Sequence, residues 1–238
     1  MASLLDKIRR SQVYRSIFRH GLPTDHRNRV MVVLSNFFLH LHPVSMRQHS
    51  LDLGYTWCMG GLTFFLFVFE TVTGVLLMFY YRPAAPQAYS DIANLTSGVA
   101  FGQLVRNIHR WTAHLMVITV FLHMTRVFYH GAYKPPREFN WVVGVVLLLL
   151  TLAFGFTGYL LPWDQKALWG STVGSEILGI IPGIGSWLLG LLRGGMEITG
   201  LTLTRFYGIH MLVLPVLAFI FLAAHFVIIR RQGISGPL

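Results

Sequence analysis

The sequence predicts an all-α integral membrane protein built as a bundle of four transmembrane helices. Three observations point there. The 238 residues are 54% hydrophobic and only 12% charged, far from the average soluble domain. Four windows, 57–80, 111–129, 141–161 and 206–229, are each long and apolar enough to cross a bilayer, which takes about 20 helical residues. Each window also begins or ends in Trp, Tyr or Phe, the side chains that settle at membrane–water interfaces.

Called A to D in chain order, these spans are oriented by their flanking Lys and Arg. Lys7, Arg9, Arg10, Arg15, Arg19, Arg27, Arg29 and Arg47 precede A, Arg126, Lys134 and Arg137 lie at the B–C junction, and Arg230 and Arg231 follow D. Arg82, Arg106, Arg110, Lys166, Arg193 and Arg205 fall on the opposite side. The excess places both termini on the cytoplasm-like (n) side. The net charge of +10 is mostly this asymmetry, so a nucleic-acid partner is not called for. Residues 1–50 form a basic, polar n-side segment that the sequence leaves either on the membrane surface or partly mobile, and 51–238 form the four-helix domain, with a p-side loop at 162–205. "MASLLDKIRR" lacks the uninterrupted apolar core of a cleavable signal peptide. The single cysteine, Cys58, excludes an intrachain disulfide.

Ionisable side chains inside such spans need a reason. B and D are separated by one helix and therefore run parallel. B holds His109 and His123, 14 apart, and D holds His210 and His225, 15 apart. At about 1.5 Å per residue these separations are roughly 21 and 22 Å, and they return to within about 40° and 60° of one face. His109 is thus level with His210, and His123 with His225. Two His–His pairs at two depths are what two bis-imidazole haems need, since a neutral imidazole nitrogen is a good iron ligand. Histidines also serve membrane helices as proton relays or interhelix hydrogen bonds. That reading would suffice for a single one, but it does not account for two matched pairs. His114 lies about 140° around the helix from His109 and reads as a hydrogen-bonded packing residue. His130, before Gly131, reads as the end of helix B.

Gly60 and Gly74 in A, and Gly144 and Gly158 in C, repeat the spacing of 14. A macrocycle in a helix bundle needs neighbouring helices with no side chain at its level, and only glycine leaves that room. Arg106 and Arg110 flank His109, and Arg126 follows His123 by one turn. Arginine suits anionic propionates, with contact to lipid headgroups as the simpler alternative.

At this point the residues carry a family resemblance. "FGQLVRNIHRW", "GFTGYLLPWDQ", "TLTRFY" and "HFVIIRRQGISGPL" are similar to cytochrome b6, the split cytochrome b of quinol-oxidising b6f-like complexes, over roughly residues 55–238. The 15-residue His210–His225 spacing matches that branch rather than the mitochondrial type. The resemblance implies two non-covalent haems b, on the p side between His109 and His210 and on the n side between His123 and His225. "YTWCMGGLT" resembles the segment whose cysteine binds a third haem, of c type, so Cys58 is implied as a covalent attachment point. A buried apolar thiol is the plainer reading. A p-side quinol pocket is implied at Tyr159, Trp163, Gly170 and Val173, and n-side quinone and haem at Arg230.

Three departures stand out. "WGSTV", residues 169–173, looks more like the corresponding bc1-type loop. Residues 1–50 hardly resemble the family's amino terminus. Glu70 stands where the family's usual residue is glutamine, near the p-side haem level, where it either tunes the haem, takes up a proton, or stays protonated and structural. The resemblance further implies quinol oxidation, with one electron passing to a Rieske iron–sulfur protein and a c-type cytochrome and the other crossing both haems to an n-side quinone. The family's Pro-Glu-Trp-Tyr motif appears nowhere in these residues, so a subunit-IV-like protein is implied to supply it, in a dimeric complex within a bacterial plasma membrane or thylakoid. A dihaem membrane anchor of a dehydrogenase would share the histidines but has no reason to carry "PWDQ" or "TLTRFY". A proton-relay transporter would need a chain of acids.

Overall fold

In the computed structural model the described residues are Lys7, Ser11, 25–35, Gln48 and 53–235. The chain divides into two compact units, Met1–Met46 and Arg47–Leu238. The first contains helix α1 (His26–Ser35), whose Asn28 N–H donates to Asp25 Oδ1 at 2.8 Å. The rest of the expected n-side segment, with Arg9, Arg10, Arg15, Arg19 and Arg47, lies outside the described residues, as do the final residues of "ISGPL".

The second unit runs α2 (Leu53–Thr56), α3 (Met59–Met78), α4 (Gln87–Ser97), α5 (Gly102–Tyr129), α6 (Glu138–Leu160), α7 (Gln165–Gly179), α8 (Gly185–Arg193), α9 (Gly200–Gly208), a π turn (Ile209–Val213) and α10 (Leu214–Gln232). No strand occurs among the described residues. Spans A, B and C are α3, α5 and α6, and D is the continuous rod Gly200–Gln232. All four are long and apolar enough to cross a membrane.

Two expectations need correction. Helix B starts at Gly102 rather than 111, and helix D at Gly200 rather than 206. The hydropathy windows close at Arg106, Arg110 and Arg205, but a helix is free to continue beyond the hydrocarbon with its cations reaching water. The 162–205 stretch is largely helical rather than a loop. Asp164 caps α7 by accepting from the Ala167 N–H at 2.8 Å, and Thr199 caps α9 in a reciprocal box with Thr202. Each satisfies N–H groups that a helix start would leave open.

Both ends of the bundle are tied. At one, the Tyr81 hydroxyl donates to Leu161 O at 2.6 Å, the Tyr81 and Tyr207 rings lie 5.5 Å apart, and Thr204 Oγ1 donates to Pro83 O at 3.0 Å. Burial pushes the Tyr81 phenol above its ordinary range, which keeps it a neutral donor. Arg82 and Asp91 pair nearby at 2.6 Å, and that hydrogen bond holds the Asp91 carboxyl below its usual range. At the other end, Gln232 Nε2 donates to Pro136 O at 2.7 Å, and Arg137 Nε to Gly233 O at 3.4 Å. The turn after B and the tail after D therefore share one end.

An apolar cluster packs at mid-depth. Leu66, Phe67, Met116, Val120 and Ala218 form it, with Leu148, Leu150, Phe154, Met124 and Leu222 packed around it. Phe67 lies edge-on to both Phe154 and Phe219. Every buried member of that cluster on α3, α5 and α10 falls between the two histidines or two glycines of its own helix. That cluster thus lies between two levels, while Leu160, Leu203 and Phe206 are buried toward the α9 end and Val143 beside Gly144.

Candidate functional site

The first level is built from α3, α5, α6 and the π turn. Thr73 Oγ1 lies 2.8 Å from His109 Nδ1, and Thr157 Oγ1 lies 2.9 Å from His210 Nδ1. Each hydroxyl also donates to the carbonyl four residues earlier, Thr73 to Phe69 O and Thr157 to Ala153 O, both at 2.7 Å. A hydroxyl has one proton. With that proton on the backbone, each threonine only accepts from its histidine, so Nδ1 holds the ring proton and Nε2 keeps a bare lone pair. This is the tautomer that binds metal through Nε2, and a fixed partner on the other nitrogen is the usual way to orient it. His109 and His210 are near enough to interact electrostatically, and so are His123 and His225.

Glycines face these rings. A Cβ at Gly158 would stand 2.8 Å from His210 Cε1, one at Gly74 3.4 Å from His109 Cε1, and one at Gly60 3.3 Å from His123 Cε1. Nothing lies within 4 Å of a Cβ at Gly144, so that position opens onto space rather than onto a ring. Glu70 Oε2 also lies 2.9 Å from His109 Nδ1. At the second level no threonine or carboxylate holds His123 or His225 among the described residues, and the buried His225 Nδ1 has no hydrogen-bond partner.

The 15-residue spacing in D is explained by the π turn. His210 lies within Ile209–Val213, the stretch wound as π-helix. A π turn accommodates one extra residue in an α-helix, so 15 residues do the angular work of about 14. The expected offset of about 60° falls to about 40°, the same as for His109 and His123. Both helices therefore present their histidines with one geometry.

Arg106 is half-buried and Arg110 exposed on either side of His109, and Arg126 lies within electrostatic reach of His123. Arg230 is half-buried in the last turn of α10. Cys58 is exposed and caps α3 in the left-handed region at φ 49°, directly after Trp57 at φ 52°. That exposure differs from a buried apolar thiol. A Cβ on Gly61 would come within 2.8 Å of its Sγ. His114, expected as a hydrogen-bonded packing residue, is exposed and rests edge-on against Trp111 at 5.7 Å. His130 does end α5, with Nδ1 3.0 Å from Arg126 O.

Of the expected quinol-pocket residues, Tyr159 and Val173 are each 56% exposed, and Trp163 has φ 54°. Gly170 packs on Leu160 and approaches Tyr159. A cavity of about 520 Å³ lies elsewhere on this end, lined by Trp169, Thr172, Glu176, Arg193 and Met196 among others and by none of those four. Arg193, 5% exposed, braces it by donating to Ser175 Oγ, Thr172 O, Glu176 Oε1 and Met196 O at 2.7–3.2 Å. Sequence reasoning did not find Thr73, Thr157 or Arg193. The signal for the threonines was a Thr-Gly pair in both A and C, hidden because each threonine reads as an ordinary apolar-helix residue.

A membrane bundle with paired imidazoles at two depths, glycine opposite three of them and an apolar cluster between the levels defines a class of protein, the helical membrane cytochrome. Residues 44–233 match the family described as Cytochrome b/b6/petB. The chain belongs to this family. It is 46% identical over 197 residues to cytochrome b6 of Heliomicrobium gestii, covering 83% of this chain and 91% of that one. It is 50% identical over 185 residues to the menaquinol:cytochrome c reductase cytochrome b subunit of Bacillus subtilis (strain 168), covering 77% and 83%. A solved structure, the hyperthermophilic respiratory Complex III, superposes with TM-score 0.73 at 27% identity, over 98% of this chain and 56% of that one. The chain is a multi-pass membrane protein, and its family is one of haem b proteins. The bare Nε2 atoms and the glycine cradles suit that group.

Proposed function

We propose that this chain is the dihaem cytochrome b subunit of a quinol:cytochrome c oxidoreductase. His109 and His210 would hold the p-side haem b, and His123 and His225 the n-side haem b. The observation that carries this is the matching of two histidine pairs on parallel helices by the π turn, with the apolar cluster of Leu66, Phe67, Met116, Val120 and Ala218 lying between them. When bound, the haems supply one-electron carriage across the low-dielectric core from a p-side quinol to an n-side quinone.

The chain's own residues do the rest. Thr73 and Thr157 fix the tautomer of the first-level ligands, and Gly60, Gly74, Gly144 and Gly158 keep their helices from filling the haem planes. Arg106, Arg110 and Arg126 offer partners for propionates. Tyr159, Trp163, Gly170 and Val173 lie at the end where quinol is oxidised, and Arg230 near the n-side quinone. The Pro-Glu-Trp-Tyr motif comes from outside these residues, in a complex with a Rieske protein and a c-type cytochrome. Cys58, exposed at the second-level end of α3 two residues before Gly60, is the attachment point for a covalent haem c.

The test is a pyridine haemochrome count on the purified complex, before and after acid–acetone extraction, with a haem-stained denaturing gel. Two extractable haems b per chain, lost one at a time in His109→Leu and His225→Leu, are expected, with a stained band that Cys58→Ser abolishes. A folded complex without haem b would overturn the proposal, and an unstained band would remove only the third haem.

A further inference from the structure

The turns around Gly60, Gly74, Gly144 and Gly158, three of which face a histidine ring, can be compared position by position. The residue just before each glycine is Thr73, Thr157, Met59 or Val143, and the residue four before it is Glu70, Phe154, Thr56 or Asn140. On α3, Glu70, Thr73 and Gly74 share one face by i, i+3, i+4 spacing, and all three meet His109. On α6, the position equivalent to Glu70 is Phe154, whose ring stands edge-on to His210 at 5.6 Å. Glu70 is thus the only carboxylate at any of the four positions.

Its geometry is specific. The side chain is 15% exposed, with Oε2 2.9 Å from His109 Nδ1. Oε1 is buried and has no hydrogen-bond partner. No arginine or lysine pairs with Glu70 among the described residues, so its one polar contact to another helix is the ligand ring.

We propose that Glu70 is a positioning residue that tunes the first-level haem: its carboxylate oxygen, alongside Thr73, accepts the His109 Nδ1–H and makes this imidazole the strongest electron donor of the four. This rests on the reading of His109 as an iron ligand. A carboxylate partner raises the basicity of a metal-bound histidine, which favours the ferric over the ferrous state. The first-level haem is thereby held at a lower midpoint potential than a neutral partner at position 70 would give it. His210 has a threonine and an aromatic edge and His225 Nδ1 has no acceptor, so the other ligands lack the effect.

The experiment is a potentiometric titration of the intact complex carrying Glu70→Gln, followed by the α-band and by the low-spin electron paramagnetic resonance signals. Gln keeps the size and an acceptor oxygen but removes the carboxylate. The reduction equilibrium of one haem b is expected to shift toward the ferrous form by about tenfold, ~59 mV for a one-electron couple, while the other stays put. The haem that moves should be the one whose signal Gly158→Ala perturbs. Glu70→Asp keeps the charge at a longer reach and should give a smaller shift in the same direction; it also serves if the glutamine variant fails to assemble. Unchanged potentials in these variants, or equal shifts of both haems, would overturn the proposal. A wild-type complex without two haems b would instead overturn the functional reading beneath it.

Discussion

A methyl group is the smallest probe of how closely two helices approach at a ring. At the first level, the Cβ of an alanine would stand 2.8 Å from the His210 ring at position 158 but 3.4 Å from the His109 ring at position 74. The first distance forces something to move, while the second is ordinary van der Waals contact. His210 is pinned by Thr157 on one side and Phe154 on another, so it has little room to yield. Overpacking of this kind costs about 1–3 kcal/mol. Gly158→Ala is therefore expected to lower first-level haem content severely and Gly74→Ala only slightly, with the second level retained in both, as read from the haem-to-protein ratio and α-band shape. Thr157→Val tests the other constraint. It leaves a buried ring N–H without its acceptor, at about 1–3 kcal/mol, and should loosen the first-level haem toward extraction by mild detergent. The histidines and glycines behind these variants were readable from spacing. The threonines were not, because a hydroxyl satisfied by its own helix leaves no trace in hydropathy.

At the scale of elements, the π turn makes D equivalent to B. The spacing of 15 showed two levels but left a residual twist, since periodicity assumes a uniform α-helix and a sequence does not announce a π turn. A deletion inside Ile209–Val213, for example of Leu212, which is 66% exposed, should let the stretch relax to α-helix and keep both histidine levels. Inserting one alanine after Leu222, in regular helix, should rotate His225 by about 100° and remove the second-level haem alone. Reduced-minus-oxidised spectra distinguish the outcomes: two haems for the deletion, one for the insertion, and loss of both from the deletion would show that the π turn has another role. The 162–205 stretch was unreadable for a related reason. Its helices are short, interrupted by glycine, and held by caps and by Arg193, a buried cation that charge counting had used only to assign a side of the membrane. Arg193→Met would strand the carbonyls of Thr172 and Met196. It should make the α7–α8 region protease-sensitive while leaving both haem spectra intact.

For the whole molecule, the four spans were legible because crossing a bilayer constrains length and composition more strongly than any propensity. Their packing was not, and it turns out to be thin: only 11–22% of the apolar window in each span is buried. Part of that surface belongs to lipid, which satisfies apolar side chains at no cost. The levels above and below the core layer are different. They are lined by imidazoles and glycines, and a void there forfeits contacts that lipid tails do not replace. Ligand binding stabilises a fold in proportion to the logarithm of the ligand concentration relative to Kd, about 4 kcal/mol at 1,000 times Kd, and here two ligands would join the same four helices. Membranes from cells starved of haem synthesis should therefore hold the chain at a much shorter pulse-chase half-life, with cleavage inside α5 and α10 rather than at their ends. His225→Leu, which forfeits one level, should fall between the starved and replete cases. Equal lifetimes in all three would mean that the mid-depth layer of Leu66, Phe67, Met116, Val120 and Ala218 closes the bundle unaided.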